Sequence, residues 1–380
     1  MANGLPSIIV AFKEKGITAI KRSQRGIVAL VLEESNPAQF TEFPYTVYTT
    51  TDVPEGLSDF NKKQIELCLM GYQTAPKKVF VYVIAKPTVT TAEVDGETQE
   101  EVTPANYNPV LLDLEGRRWD YLVIPEIKDN ETTTIATWIK GMRTTKDKMV
   151  KAVLPHEKAD NEGVVNFTND LIKTKAAEFT TAEYCSRIAG IITGTPMTIA
   201  CTFAPLPEVI DCDKWTREQM NEKVTKGELF FFNDGEKIKI ARGVNSFVTT
   251  IQDKGESFQK IKLVDAMDMI HDDIKKTAED SYLGKYANSY DNKCLLCTAI
   301  QGYFDQLELD GILDPGKNSV GIDLEQQKVY LESIGAYTKD ELANMDELEI
   351  KKANTKDKVF LSANIKILDA IEEIKLNIAI

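Results

Sequence analysis

The chain has 380 residues and a mass of 42.5 kDa, too long for one ordinary core and enough for two or three domains. Its formal net charge of -14 and pI near 4.9 repel DNA and anionic membranes in the absence of a local basic block, and the sequence has none. No apolar run reaches bilayer length and the first residues lack a signal-peptide pattern, so the expectation is a cytosol-like compartment and no membrane insertion. Six scattered cysteines, Cys68, Cys185, Cys201, Cys212, Cys294 and Cys297, read as reduced, mostly core thiols rather than a disulfide framework.

Pro6 to Phe12 is strand-like, rich in β-branched residues and without a helix cap. A second extended piece lies around Ile17–Lys21, and Gly26 to Leu32 is a continuous apolar run that suits a strand buried on both faces. Asn36 to Glu55 reads as a loop or edge hairpin. Ser58 caps a predicted helix running to Gly71, with Ile65, Leu69 and Met70 facing inward. Lys77–Ile84 is a second buried strand. Lys86 to Asn108, polar and rich in Thr and Glu around an Asp95-Gly96 turn, predicts an exposed excursion that can hold a hairpin.

Strands at Asp120–Pro125, Met149–Leu154 and Gly163–Phe167 alternate with helices at Glu131–Met142 and Thr181 to about Ile192. That alternation predicts βαβ units and a doubly wound, largely parallel α/β domain from about Arg22 to Thr202. The last helix faces Tyr184, Ile188 and Ile191 or Ile192 inward and stops at Gly194-Thr195-Pro196.

The second half changes character. Glu228–Phe232, the turn Asn233-Asp234-Gly235 and Lys237–Ala241 predict a β-hairpin. Two long helices follow, one with Leu263, Met267, Ile270 and Ile274 on one face, the next with Leu296, Ile300, Tyr303 and Leu307. A short helix from Asp323 to about Gly335 and one opened by a Thr338–Glu341 capping box precede a strand at Val359–Leu368. Ile374 to Ile380 then alternates large apolar with small or polar residues, the pattern of a half-buried strand. Either terminal strand can close a sheet within its own chain or pair with the sheet edge of another; alternation alone leaves both open.

A search for chemistry finds little. No Gly-rich phosphate loop follows the first strand, whose exit carries Glu33 and Glu34 where phosphate would sit. Those two acids, like Glu372 and Glu373, show no sign of burial. Cys294 and Cys297 share a helix face, as core thiols would, and no second CxxC or nearby histidine completes a zinc site. Only two histidines exist: His156 in a polar loop, and His271 beside Asp268, Asp272 and Asp273 on what reads as a solvated or interfacial acidic face. Arg242-Gly243-Val244-Asn245-Ser246 is the most distinctive short segment; Gly243 and Asn245 permit tight or left-handed backbone and Arg242 can hold a carboxylate, although an ordinary strand exit with a surface arginine has the same composition.

Four stretches, Ile240–Ser246, Phe258–Asp265, Ile270–Ile274 and Tyr290–Lys293, resemble the tail sheath proteins of contractile phages, nearest to those of Gram-positive defective-prophage and clostridial R-type bacteriocin particles. Gly4–Ile8, Ser186–Gly190 with Gly194–Pro196, and Lys358 to Ile380 carry the same resemblance, so that it covers nearly the whole chain. Asn36–Glu55 and Lys86–Asn108 look longer than in the compact bacteriocin version and read as surface additions.

The resemblance implies an α/β plus α+β subunit in four parts: an N-terminal β-arm (1–21) contributing to the inner domain, a doubly wound outer α/β domain (22–202) with exposed loops 36–55 and 86–108, an α+β inner domain (203–368), and a C-terminal β-arm (369–380). It implies a structural, non-enzymatic role without cofactor or metal. Hexameric rings stack around a tail tube and contract, driving the tube through a target cell envelope. Expected partners are further copies of the chain, the tube protein, and baseplate and tail terminator proteins, in a virion tail or tail-like particle assembled in host cytoplasm; no nucleic acid is expected. The arm residues expected to be donated to neighbours are Ile8, Val10 and Phe12 at one end and Ile374, Leu376, Ile378 and Ile380 at the other, with hinges near Glu14–Gly16 and Asp369–Glu373. Arg242, Gly243, Asn245 and Ser246 form the family motif of the inner domain. A cytosolic α/β enzyme or ligand-binding protein is the competing reading; it requires a deep pocket with convergent polar groups.

Overall fold

A computed structural model describes residues 19–20, 25–94 and 97–379. Ile8, Val10, Phe12, the Glu14–Gly16 hinge, the Asp95-Gly96 turn and Ile380 lie outside the described residues. Among those described, one compact unit comprises 25–272 with 367–379, and a second comprises 19–20 with 273–366.

The first unit is organised by β1 (Ile27–Glu34), buried at every position, as expected of an apolar run covered on both faces. Next come β2 (Tyr45–Val47), α1 (Asp59–Leu69), β3 (Lys78–Ala85), β4 (Thr88–Val94), β5 (Glu97–Thr103), α2 (Asn108–Gly116), β6 (Tyr121–Val123) and α3 (Asp129–Thr144). They are followed by β7 (Lys151–Pro155), β8 (Val164–Phe167), β9 (Ile172–Thr174), β10 (Glu178–Phe179), α4 (Thr181–Thr193), β11 (Val209–Cys212), α5 (Arg217–Thr225), β12 (Glu228–Leu229), β13 (Phe231–Asn233), β14 (Ile238–Ile240) and α6 (Ile261–Ser281), of which the part up to Asp272 belongs to this unit. Seven strands form one sheet in the order β12-β8-β7-β6-β1-β3-β2. Every pair is parallel except β2 with β3.

Helices cover both faces. Val28, Leu30 and Leu32 point to Ile65 of α1 and to Tyr184 and Ile188 of α4, while Ala29 and Val31 point to Leu114 of α2 and to Ile135 and Ile139 of α3. Ser58 Oγ accepts from the Asn61 amide and caps α1, and Thr180 with Glu183 forms the capping box of α4. The α1–α4 contact depends on Gly190, where a Cβ would lie 2.2 Å from the Cys68 carbonyl oxygen.

Several details depart from expectation. Met70 is 45% exposed rather than inward, because α1 ends at Leu69. Asn36–Glu55 supplies β2, the antiparallel edge of the main sheet. The excursion after Lys86 holds a hairpin, as its Asp95-Gly96 signal allowed, and among the described residues β4 pairs with β5 alone, from Thr88↔Thr103 to Val94↔Glu97. The main sheet also takes an edge strand, β12, from well past Thr202. The first strand of the expected hairpin, Glu228–Phe232, is thus divided: Glu228–Leu229 pairs with β8, and only Phe231–Asn233 pairs with β14.

Glu33 and Glu34 are buried, against expectation. They end a central strand, where the chain passes under helix termini. Glu34 Oε1 accepts from the Ser58 amide at 2.7 Å and from Asn61 Nδ2 at 2.8 Å, and these donors hold it below the usual carboxylate range despite burial. Tyr107 donates to Glu33 at 3.0 Å and lies 3.1 Å from Glu131. At the carboxyl end of β1, the end of the sheet where doubly wound folds bind ligands, both carboxylates are thus engaged by the protein's own side chains and backbone.

In the second unit α7 (Tyr290–Leu309) precedes β15 (Ser319–Ile322), α8 (Leu324–Ser333), α9 (Lys339–Asn344), α10 (Glu347–Lys352) and β16 (Leu361–Asn364). Ile300, Tyr303 and Leu307 are buried on α7, and Thr338 and Glu341 cap α9 reciprocally. β15 and β16 form an antiparallel two-stranded sheet, Ser319↔Asn364 to Ile322↔Leu361. Cys68, Cys185, Cys201 and Cys212 are buried thiols, but Cys294 and Cys297 are only half-buried, flanking the apolar stripe of α7 rather than lying in the core. No described helix is long and apolar enough to cross a membrane.

Candidate functional site: the root of the C-terminal arm

Past β16 the described chain forms no further helix or strand. Ile371, Ile374, Leu376 and Ile378 are 86%, 82%, 75% and 76% exposed. Fully burying one such side chain is worth about 1.5–3 kcal/mol, so four of them in water are a large unclaimed stabilisation.

The residues just before this row are held firmly. Glu372 keeps its side chain only 9% exposed. Its Oε1 accepts from Thr202 Oγ1 at 2.6 Å, while its Oε2 accepts from Arg242 Nε at 3.0 Å and lies 2.9 Å from Arg242 Nη2. Arg242 Nη2 is also 3.5 Å from Glu373 Oε1. Lys260 pairs with Asp369 and stands 3.8 Å from Glu372, and Lys262 Nζ donates to the Leu368 carbonyl. Asp369–Glu373, expected to be a hinge, is instead a gripped segment, because complementary charges line both the chain and its seat.

Local backbone geometry builds that seat. Arg242 leaves β14, and the next residues run beside the segment leading into α6: Val244 bridges Lys260, and the Ile261 amide donates to the Gly243 carbonyl. This pairing sets Lys260 next to Arg242. Gly243 is required by close approach rather than by a left-handed backbone, since a Cβ would lie 2.9 Å from Cys201 Sγ, and its amide donates to Thr202 Oγ1 at 2.9 Å.

Asn245 and Ser246 face inward. Asn245 Nδ2 donates to the Phe258 carbonyl and its Oδ1 accepts from the Phe247 amide. Ser246 Oγ donates to the Asn161 carbonyl and its amide to that of Val164. Of the four motif residues, then, Arg242 meets the arm, Gly243 makes room for its seat, and Asn245 and Ser246 brace the segment to β8 and to the approach to α6.

Sequence reasoning missed the charge network behind α6. Of the acidic face expected to be solvated or interfacial, Asp268 and Asp273 are instead buried, while Asp272 is partly exposed. Arg143 forks onto Asp268, both contacts at 2.9 Å, and Lys151 Nζ lies 2.5 Å from Asp268 and 2.9 Å from Asp265. Arg25 bridges Asp120 at 2.8 Å and Asp272 at 2.9 Å. Burial would raise the Asp268 carboxyl, yet Lys151 and Arg143 hold it at about 2. Tyr303 donates to Asp273 at 2.8 Å. The available signal was the i, i+3 spacing of acids on an otherwise apolar helix face. Among the described residues no group of three or more His, Cys, Asp or Glu is placed to hold a metal ion.

Residues 100–246 match the phage tail sheath protein central domain, and residues 253–380 match the phage tail sheath C-terminal domain. The chain belongs to the phage tail sheath family. It is 38% identical to the tail sheath protein of Clostridium phage phiCD119 over 375 residues, 99% of each chain. Its fold is similar to that of the sheath tail protein of Desulfitobacterium hafniense, at 17% identity and a TM-score of 0.67 over 83% of this chain and 94% of that one. It is similar too to the contracted helical sheath of the anti-feeding prophage, at 14% identity and a TM-score of 0.68 over 100% and 99%. As a sheath protein the chain is a structural subunit of a contractile tail, a component of a phage tail or tail-like particle, and not an enzyme.

Proposed function

We propose that this sheath subunit stacks as hexameric rings around a tail tube, is linked to its neighbours by donated terminal strands, and contracts to drive the tube through a target envelope. Its partners in this reading are the tube, baseplate and terminator proteins, and it assembles in host cytoplasm. The C-terminal half with arm 1–21 forms the inner domain, and 22–202 lies further out with the β4–β5 hairpin at the particle surface. The self-contained pairing of that hairpin supports the outward placement.

The observation that carries the reading is the period-two row Ile374, Leu376 and Ile378, exposed and with no strand partner among the described residues. A seven-residue strand of that pattern gains both apolar burial and backbone pairing on the open edge of another subunit's sheet. Among the described residues the two-stranded β15–β16 sheet offers such edges. Contraction then follows as release from an assembled state held by a kinetic barrier into one with more interface buried.

Removing Ile374–Ile380 tests this. The truncated protein stays folded by circular dichroism and forms no long tubes under negative-stain microscopy, whereas the full chain forms tubes without nucleotide or metal. Tubes of normal length from the truncated protein refute donation; loss of the fold shows the strand to be a core element.

A further inference from the structure

The residues that grip Leu368–Glu373 have a consequence for where the arm can reach. Glu372 is seated inward while Ile371 and Ile374 on either side of it are among the most exposed apolar residues described. The seat holds the polar side chains of the root while Ile371 faces solvent, and past Glu373 the exposed row Ile374, Leu376 and Ile378 begins. Along the side facing α5 the root borders a cleft of about 590 Å3 lined in part by Phe203, Met220, Phe232 and Arg242. Polar contacts rather than close apolar packing therefore fix the root on that side.

We propose that Arg242, with Thr202 and Lys260, acts as a positioning clamp that fixes the origin and the facing of the C-terminal arm, and so determines which neighbouring sheet edge the arm reaches. This rests on the donated-arm reading. The physical basis is length and phase. From a fixed Glu373, the seven residues Ile374–Ile380 span at most about 23 Å when extended, so a fixed origin confines the arm to one neighbourhood.

With the clamp released the free segment runs back to Asp369, since Lys262 still holds the Leu368 carbonyl, making twelve residues in place of seven. The effective concentration of the arm at its acceptor then falls by about twofold, as the -3/2 power of length. Phase matters equally, because a strand slipped by one residue turns its whole apolar row to the other face. An arm pinned at Glu372 presents Ile374, Leu376 and Ile378 on a set side; an unpinned arm does not.

The experiment compares four full-length proteins, wild type, Arg242→Ala, Arg242→Lys and Glu372→Gln, with the protein lacking Ile374–Ile380. The readouts are circular dichroism, thermal melting, and the lowest protein concentration that yields tubes by light scattering and microscopy. Arg242→Ala and Glu372→Gln are expected to keep the wild-type spectrum and to raise the tube-forming concentration about twofold, with Arg242→Lys restoring part of the loss by its remaining charge.

Normal tube formation by Arg242→Ala or by Glu372→Gln, while the truncated protein makes none, overturns the clamp and leaves the donated arm standing. Normal tubes from the truncated protein overturn both. If Arg242→Ala fails to fold, Glu372→Gln decides alone, since it removes charge from the arm side at constant size.

Discussion

Arg143 and Asp268 meet as a two-point fork, Nη1 to Oδ2 and Nη2 to Oδ1 at 2.9 Å each, with side chains only 7% and 4% exposed. The pair joins α3 to the start of α6, and Lys151 from β7 shares the same carboxylate.

Asp268→Asn would leave Arg143 and Lys151 buried without their common partner. The expected loss is about 3–5 kcal/mol, read as a lower urea midpoint at unchanged slope. Asp291→Asn, at an exposed position, changes stability by less than about 0.5 kcal/mol. The acid limb follows the same residue. Its folded value of about 2 lies below the ordinary 3.8, so its stabilisation is complete above pH 3.8 and is lost as pH falls toward 2.

Two glycines in helices separate packing from propensity. Gly190→Ala puts a methyl 2.2 Å from the Cys68 carbonyl oxygen and is expected to cost about 1–3 kcal/mol or more as α1 is pushed from α4. Gly141→Ala, in α3, has nothing within 4 Å of the new Cβ and is expected to gain about 0.4–1 kcal/mol. Thermal melts of the two variants should move in opposite directions.

Much of this architecture was legible because its determinants are local. The apolar run at Gly26–Leu32, the Ser58 cap, the Thr180–Glu183 and Thr338–Glu341 boxes and the Gly194 stop each act within a few residues, and each element formed where its signal lies. What escaped was long-range. Asp268 reads as a surface acid until Arg143, 125 residues earlier, is placed beside it. Glu33 and Glu34 read as exposed until Tyr107 and Asn61 arrive. Arg242 was singled out as able to hold a carboxylate, but composition cannot say that the carboxylate is Glu372, 130 residues on.

His271 gives a second pH dependence. Its Nδ1 lies 3.0 Å from Asp272 and its Nε2 3.0 Å from Asp147. The hydrogen bond to Asp272, opposed by burial and aided by Asp147, raises its pKa above 6.5. A raised folded value means that the stabilisation is fully present below pH 6.5 and is lost as pH climbs through the folded value. Melting temperature should therefore decline across that interval in the wild type, and the decline should vanish in His271→Gln.

Among the described residues the β4–β5 hairpin pairs only with itself. Deleting Thr91–Thr103 and joining Thr90 to Pro104 should leave the melting temperature and tube formation unchanged. Missing tubes from a folded deletion protein would mark the hairpin as a contact between subunits.

The exposed row on the C-terminal arm belongs to a chain with a formal charge of -14, and the two features act at different ranges. Charge repulsion is felt across a Debye length of about 8 Å at physiological salt, whereas apolar side chains attract only on touching. Two free subunits thus meet a barrier before either arm can engage. At the end of an existing polymer, several arms bind together, and their summed contacts outweigh the same repulsion. Growth should accordingly show a lag that preformed ends abolish and that added salt shortens. A pool of free subunits can then persist, soluble and unpolymerised, until a nucleus is supplied.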